Sequence, residues 1–135
     1  MRSDRPAVAY LAAQGAAGLA WWVLLLASDT VRDLFFVGAE GWASGRSLLL
    51  ADVIVFALGS LAAAGLAHRR HSWARPAVWV VVGATAYATL VAVGWLIESI
   101  GEPLGPAMMA PALVGTGWAA RLIGAAATAD GPVAR

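Results

Sequence analysis

The chain has 135 residues, 61% of them hydrophobic and 13% charged, with a formal net charge of +1. Soluble domains run near half apolar and a quarter charged, and disordered chains combine low hydrophobicity with high net charge, so both classes are excluded. With a mean hydropathy of +0.75, what is left is an all-α integral membrane protein, expected as a single domain over residues 1–135.

Four apolar stretches follow one another, over about 6–28, 47–67, 76–97 and 106–128. Each approaches the ~20 residues that a helix needs to cross a ~30 Å hydrocarbon core. At that segment length only helices satisfy their own backbone in lipid, so the expected fold is a four-transmembrane-helix bundle. The alternating ten-residue segments of a membrane barrel are not present.

The first stretch follows Arg2 and Arg5 and contains Trp21 and Trp22. It is longer than the ~7–15 apolar residues of a signal peptide and is read as an uncleaved helix. Tyr10, Gln14, Gly18 and Trp21 or Trp22 recur at helical spacing. Gln14 is placed to hydrogen-bond across helices, either as packing glue or as part of a polar site.

The connection 29–46 carries Val31, Leu34, Phe35, Phe36, Val37 and Trp42. That is too apolar for a solvated loop, and it suggests a short helix on the membrane interface with Trp42 as an anchor.

The second stretch holds Asp52 about five residues from its start. A carboxylate at the centre of a membrane helix costs roughly 2.5–3.5 kcal/mol, and less near the interface. Two readings stand side by side. Asp52 is a proton- or cation-handling site, or it is a structural acid bonded to a neighbouring Trp, Tyr or backbone group. Phe56, Gly59 and Ala63 follow it at α-helical steps, with Ser60 beside them. A stripe of small and polar residues is expected to face the bundle interior. An indole N–H from Trp21 or Trp22, at similar depth, is a candidate donor to the carboxylate.

A basic loop follows, with His68, Arg69, Arg70, His71 and Arg75. Each Arg near an anionic leaflet is worth about 1 kcal/mol, so lipid headgroups are the expected contact. Two His without a third ligand give no metal site. In the third stretch Gly83, Tyr87 and Gly94 share one face, and Tyr87 is expected to turn inward toward Gln14 or a threonine. Trp73, Trp79 and Trp95 sit near its ends and read as interface anchors. Gly101, Pro103 and Gly105 then mark a tight turn.

The fourth stretch contains Pro111, expected to kink it or loosen its first turns, and Arg121, on the face of Gly117 and Gly124. Arg121 either snorkels to the interface or contacts an anion or headgroup. It lies too far from the depth of Asp52 for a direct pair.

Charge placement gives an orientation. With four spans, Arg2, Arg5, Arg69, Arg70, Arg75 and Arg135 fall on one side, with Arg121 near it, and only Arg32 and Arg46 on the other. Arginine-rich segments stay in the cytoplasm, so both termini are expected there. The nine basic residues are all Arg, and the chain has neither Lys nor Asn. That composition suggests a high-GC bacterial genome and hence a bacterial cytoplasmic membrane. No basic surface of the kind that nucleic acid needs is present. With no cysteine, disulfides, thiolate metal sites and thiol redox chemistry are excluded, and no cofactor is expected.

Several short segments taken together, Gln14-Gly15 before Trp21-Trp22, Asp33-Leu34-Phe35, Asp52 with Gly59-Ser60, Gly83-Ala84 with Tyr87-Ala88-Thr89-Leu90, and Met109-Ala110-Pro111, resemble a group of uncharacterised small bacterial four-helix membrane proteins. They are also similar to the membrane region preceding some isoprenylcysteine-carboxyl-methyltransferase-like proteins. The resemblance implies the four-helix fold. The methyltransferase's His-Pro dipeptide and late cofactor region are absent, so it implies no activity.

Three functions are compatible with these residues. The first expectation is a non-catalytic accessory or assembly component, bound to a membrane partner or to copies of itself. The second is a small proton- or cation-linked transporter or channel centred on Asp52, with Gln14, Trp21, Trp22 and Tyr87 around it. The third is a lipid-modifying enzyme using Asp52 or Glu98 as an acid or base.

Overall fold

The structure is a computed structural model and describes residues 4–129; Arg2 and Arg135, used above for orientation, lie outside that range. The chain forms α1 (Arg5–Ala27), α2 (Asp29–Asp33), α3 (Gly38–Ser47), α4 (Leu49–His68), α5 (Ala74–Ile97) and α6 (Leu104–Ala129). Helices α1, α4 and α5 are long and apolar enough to cross a membrane. At 26 residues α6 is longer still, but Pro106, Pro111, Arg121 and its glycines dilute its apolar character.

The four long helices run up and down in the ring order α1–α4–α5–α6. Helix α1 packs on α4 and α6, α4 on α5, and α5 on α6 most extensively. Proline occupies the first turn of α1, where its missing N–H leaves no bond unmade. Ser28 ends α1 in an extended conformation and caps α2, its hydroxyl accepting from the Val31 N–H.

One end of the bundle is closed and dry. Ala7, Leu11, Ala63, Ala67, Val78 and Ile123 belong to one buried cluster there. The alanines let the helices approach closely, which is how helices associate where surrounding lipid is as apolar as the interface. Gly15 does the same between α1 and α4: a Cβ at that position would come within 2.7 Å of the Ala57 carbonyl oxygen and the Leu61 side chain. Between α1 and α6, a Cβ at Gly115 would collide with the Tyr10 ring. Gly117 and Gly124, expected above on the Arg121 face, have nothing against them.

The other end holds a second cluster built on Trp22, Leu25, Phe35 and Phe36. The connection between α1 and α4 folds over this end. It is tied there by Val37 N–H to the Ile100 carbonyl at 3.0 Å and Glu102 N–H to the Phe35 carbonyl at 2.9 Å. Trp42 is therefore not a free interfacial anchor, since its ring sits edge-on to Phe36 and under the Arg32 guanidinium. Arg32 also pairs with Asp29.

Two helix ends carry a non-glycine residue in the left-handed region, Arg70 (φ 54°) and Ser99 (φ 61°). Both close the same capping motif. His71 N–H reaches the Leu66 carbonyl after α4, and Ile100 N–H reaches the Trp95 carbonyl after α5. The tight turn expected at Gly101 thus has Ser99 as its left-handed residue. Gly101 serves close approach, because a Cβ there would lie 2.8 Å from the Trp95 Cβ.

Within α4 the stretch Asp52–Leu58 is π-helical. Its wider turns shift the α-helical register expected above. The fully buried line of α4 runs through Ala57, Ser60 and Ala63, while Asp52 and Phe56 line a cavity.

Candidate functional site: an aromatic-roofed cavity

Between the two clusters lies a cavity of about 400 Å³. Its floor is a polar node joining three helices. Gln14 Nε2 donates to Ser60 Oγ at 3.1 Å, and Thr116 Oγ1 donates to Gln14 Oε1 at 2.9 Å. Ser60 donates in turn to the Phe56 carbonyl at 2.6 Å, and Thr116 shares its single hydroxyl proton between Gln14 Oε1 and the Ala112 carbonyl at 2.6 Å. Tyr10 donates to the same Ala112 carbonyl at 3.0 Å. Gln14 is buried, yet it borders the cavity. Its amide has a second N–H and a second lone pair beyond these two bonds.

The walls carry two carboxylates, Asp52 from α4 and Glu102 from the turn before α6. The Trp22 indole lies beside the Asp52 carboxylate. Trp22 follows Gln14 by eight residues, so floor and carboxylate are about 12 Å apart along α1. The roof is aromatic: Phe35 lies 4.0 Å from Trp21, and Phe36 lies 5.6 Å from Trp95, measured between ring centroids. Apart from the polar groups at Asp52, Glu102 and the floor, the lining is apolar, as small-molecule sites are.

The cavity has a side opening. Ala13 and Ala17 of α1 and Met108 of α6 line it and are also exposed. Pro111 sits at the change. On its C-terminal side, Thr116, Ala119 and Ala120 are buried in the closed half, and on its N-terminal side Gly105, Pro106, Met108 and Met109 line the cavity. Helix α6 runs on through Pro111 without a break in its helical assignment. The side opening faces the bilayer wherever α1 and α6 are immersed in it.

Of the residues singled out from sequence, Gln14, Trp21, Trp22 and Asp52 come together around this cavity. Tyr87 does not. It is 60% exposed on the outer face of α5, and the buried hydroxyl of that helix is Thr85, bonded to the Val81 carbonyl at 2.8 Å. Gln14 instead takes its partners from α4 and α6. Gly83, expected beside Tyr87, is likewise exposed with open space around it. Trp95 is turned inward against Phe36, whereas Trp73 and Trp79 are exposed as interfacial residues are. Arg121, Arg69, Arg70 and Arg75 are exposed, away from the cavity. Glu98, the alternative acid, is exposed too, and Glu102 takes the place at the cavity. Among the described residues no cluster of three metal-ligating side chains occurs.

Thr116 and the cavity role of the Phe35–Phe36 pair are what sequence reasoning passed over; the pair left a signal, as apolar side chains in a connection too apolar for water. Glu102 was legible with Glu98 as an acid at the outer end of the third stretch that could recruit cations, and of the two only Glu102 lines the cavity.

No protein-family model, curated protein or solved structure matches this chain.

Proposed function

We propose that this chain is a four-span protein of a bacterial cytoplasmic membrane, with both termini in the cytoplasm, that takes a small, largely apolar molecule into the roofed half of its bundle. It works as a small transport-type binding protein centred on Asp52. The observation that carries this reading is the cavity itself: about 400 Å³ of space beside a carboxylate, between the helices of the bundle. The likeness to small four-helix bacterial membrane proteins is part of the same reading and adds no chemistry to it.

Binding is tested with pyrene, a neutral apolar probe, added to the protein in lipid nanodiscs. Saturable energy transfer from tryptophan is expected above the level of protein-free lipid partitioning. It is expected to fall when Ala17→Phe fills the side opening. Identical transfer in both proteins would reject the site. Topology is tested separately. Because the chain has no cysteine, single cysteines at Glu40 and His71 report sidedness with an impermeant maleimide. Labelling from outside is expected at 40 and not at 71.

A second reading, an accessory subunit, is favoured by one observation. The outer face of α5 presents Tyr87 and Gly83 with open space against the glycine, which suits a close-packed helix from a partner or a second copy. A disulfide or bismaleimide crosslink from Gly83→Cys in native membranes tests it.

A further inference from the structure

Resting on the cavity reading, we infer that its ligand is an amphiphilic organic cation, its charged group held between Asp52 and the tryptophan faces and its apolar body reaching toward Gln14.

Three independent features of the lining lead there. The first is charge sign. The lining contains Asp52 and Glu102 and no Arg or His. Among the described residues the only ion pair is Arg32–Asp29, outside the cavity. Trp22, beside Asp52, is neutral and does not cancel the carboxylate's charge. A ligand with a positive group supplies the missing counter-charge, and an anionic ligand meets two carboxylates in a low-dielectric enclosure.

The second feature is the rings. Trp21, Trp22, Trp95, Phe35, Phe36 and Phe56 all line the cavity. The face of an aromatic ring is the negative side of its quadrupole, so a lining rich in rings favours ammonium-type cations. Indole is the best of these rings, and the lining holds three, with Trp22 beside Asp52. Neutral apolar ligands need only the aliphatic walls found in the other half of this bundle.

The third feature is length. The carboxylate and the Gln14 amide are about 12 Å apart along α1. Between them the lining is Ala13, Ala17, Gly18 and Met109, with no charge. A molecule that spans this distance has a cationic end, an apolar middle, and room for one hydrogen-bonding group at the amide. The side opening by Ala13, Ala17 and Met108 admits it from the hydrocarbon, where amphiphilic cations concentrate.

The test uses two ions of nearly the same size and shape and opposite charge, tetraphenylphosphonium and tetraphenylborate. Binding to the full chain in nanodiscs is measured by equilibrium dialysis, with protein-free discs subtracted. The unmodified protein is expected to bind the phosphonium saturably and the borate about tenfold more weakly or not at all. Asp52→Asn keeps the size of the side chain and removes its charge, and is expected to abolish most of that preference; Glu102→Gln is expected to reduce it. Equal binding of both ions by the unmodified protein, or tighter binding of the borate, overturns the cation assignment while the cavity reading stands. If neither ion nor pyrene binds saturably, the cavity reading itself falls. The comparison of the two ions needs no variant, so it decides the matter even if Asp52→Asn does not fold.

Discussion

Replacing Gln14 by leucine removes the one side chain that ties α1, α4 and α6 together, and the structure sets how much that matters. Gln14 makes two interhelical hydrogen bonds, to Ser60 at 3.1 Å and Thr116 at 2.9 Å. Interhelical side-chain bonds in membrane proteins average about 0.6 kcal/mol each, so the pair contributes at most about 1.2 kcal/mol, Thr116 sharing its proton with the Ala112 carbonyl. The larger cost of an orphaned buried hydroxyl, about 1–3 kcal/mol, does not arise. Ser60 keeps the Phe56 carbonyl and Thr116 keeps the Ala112 carbonyl. Leucine is close to glutamine in volume and leaves no cavity. The expected loss is therefore about 1 kcal/mol, measured by reversible unfolding in mixed micelles. A double variant Gln14→Leu with Thr116→Val is expected to lose about 1 kcal/mol more, since it also removes the Thr116 bond to the Ala112 carbonyl. A loss above about 3 kcal/mol for the single variant would refute this reasoning, because it would mean that the hydroxyls depend on Gln14 for satisfaction.

Gly15→Ala places a methyl 2.7 Å from a backbone carbonyl of α4. Backbone cannot rotate away as a side chain can, so α1 and α4 must separate, and a destabilisation of about 1–3 kcal/mol is expected in the same unfolding assay. Ser99→Gly removes the left-handed strain at φ 61° and is expected to stabilise the end of α5 by about 1 kcal/mol, read as a higher midpoint. Gly101→Ala forces a methyl to 2.8 Å from the Trp95 Cβ, under the strap that carries Phe35 and Phe36. It is expected to lift the roof, seen as a red shift of tryptophan emission and faster quenching by acrylamide; unchanged emission would show that the strap does not depend on that close contact.

Much of the helical arrangement was visible in the chain. The apolar stretches fix their own helical state, because lipid offers the backbone no other partner. The depth of Asp52 against Trp22 followed from residue counting along antiparallel helices, and so did the deeper level of Gln14. Facing was less legible. Tyr87 and Gly83 were expected inward because small and polar residues gather at helix interfaces. Yet α5 contacts its neighbours through Val78, Val81 and Thr85 instead. With apolar side chains on every side, periodicity carries almost no facing signal in a membrane helix, and one polar residue can tip the choice wrongly. The same weakness hid Gly115 behind Gly117 and Gly124.

The sequence by itself determined the helical, membrane-type class of the chain and which polar residues lay within its apolar stretches; of the four stretches expected to span, three form helices long and apolar enough to do so. These are local properties, set by hydropathy and by the need to satisfy each backbone group within its own segment. Only the tertiary structure decided what surrounds those residues. The π-helical turns of α4 set the register of Asp52 relative to Ser60, and a strap of main-chain hydrogen bonds brought Phe35 and Phe36 over Trp21 and Trp95. The turn before α6 carried Glu102 to the cavity. A void has no sequence of its own: it is the space left when four helices pack tightly at one end and are held apart by aromatic side chains at the other.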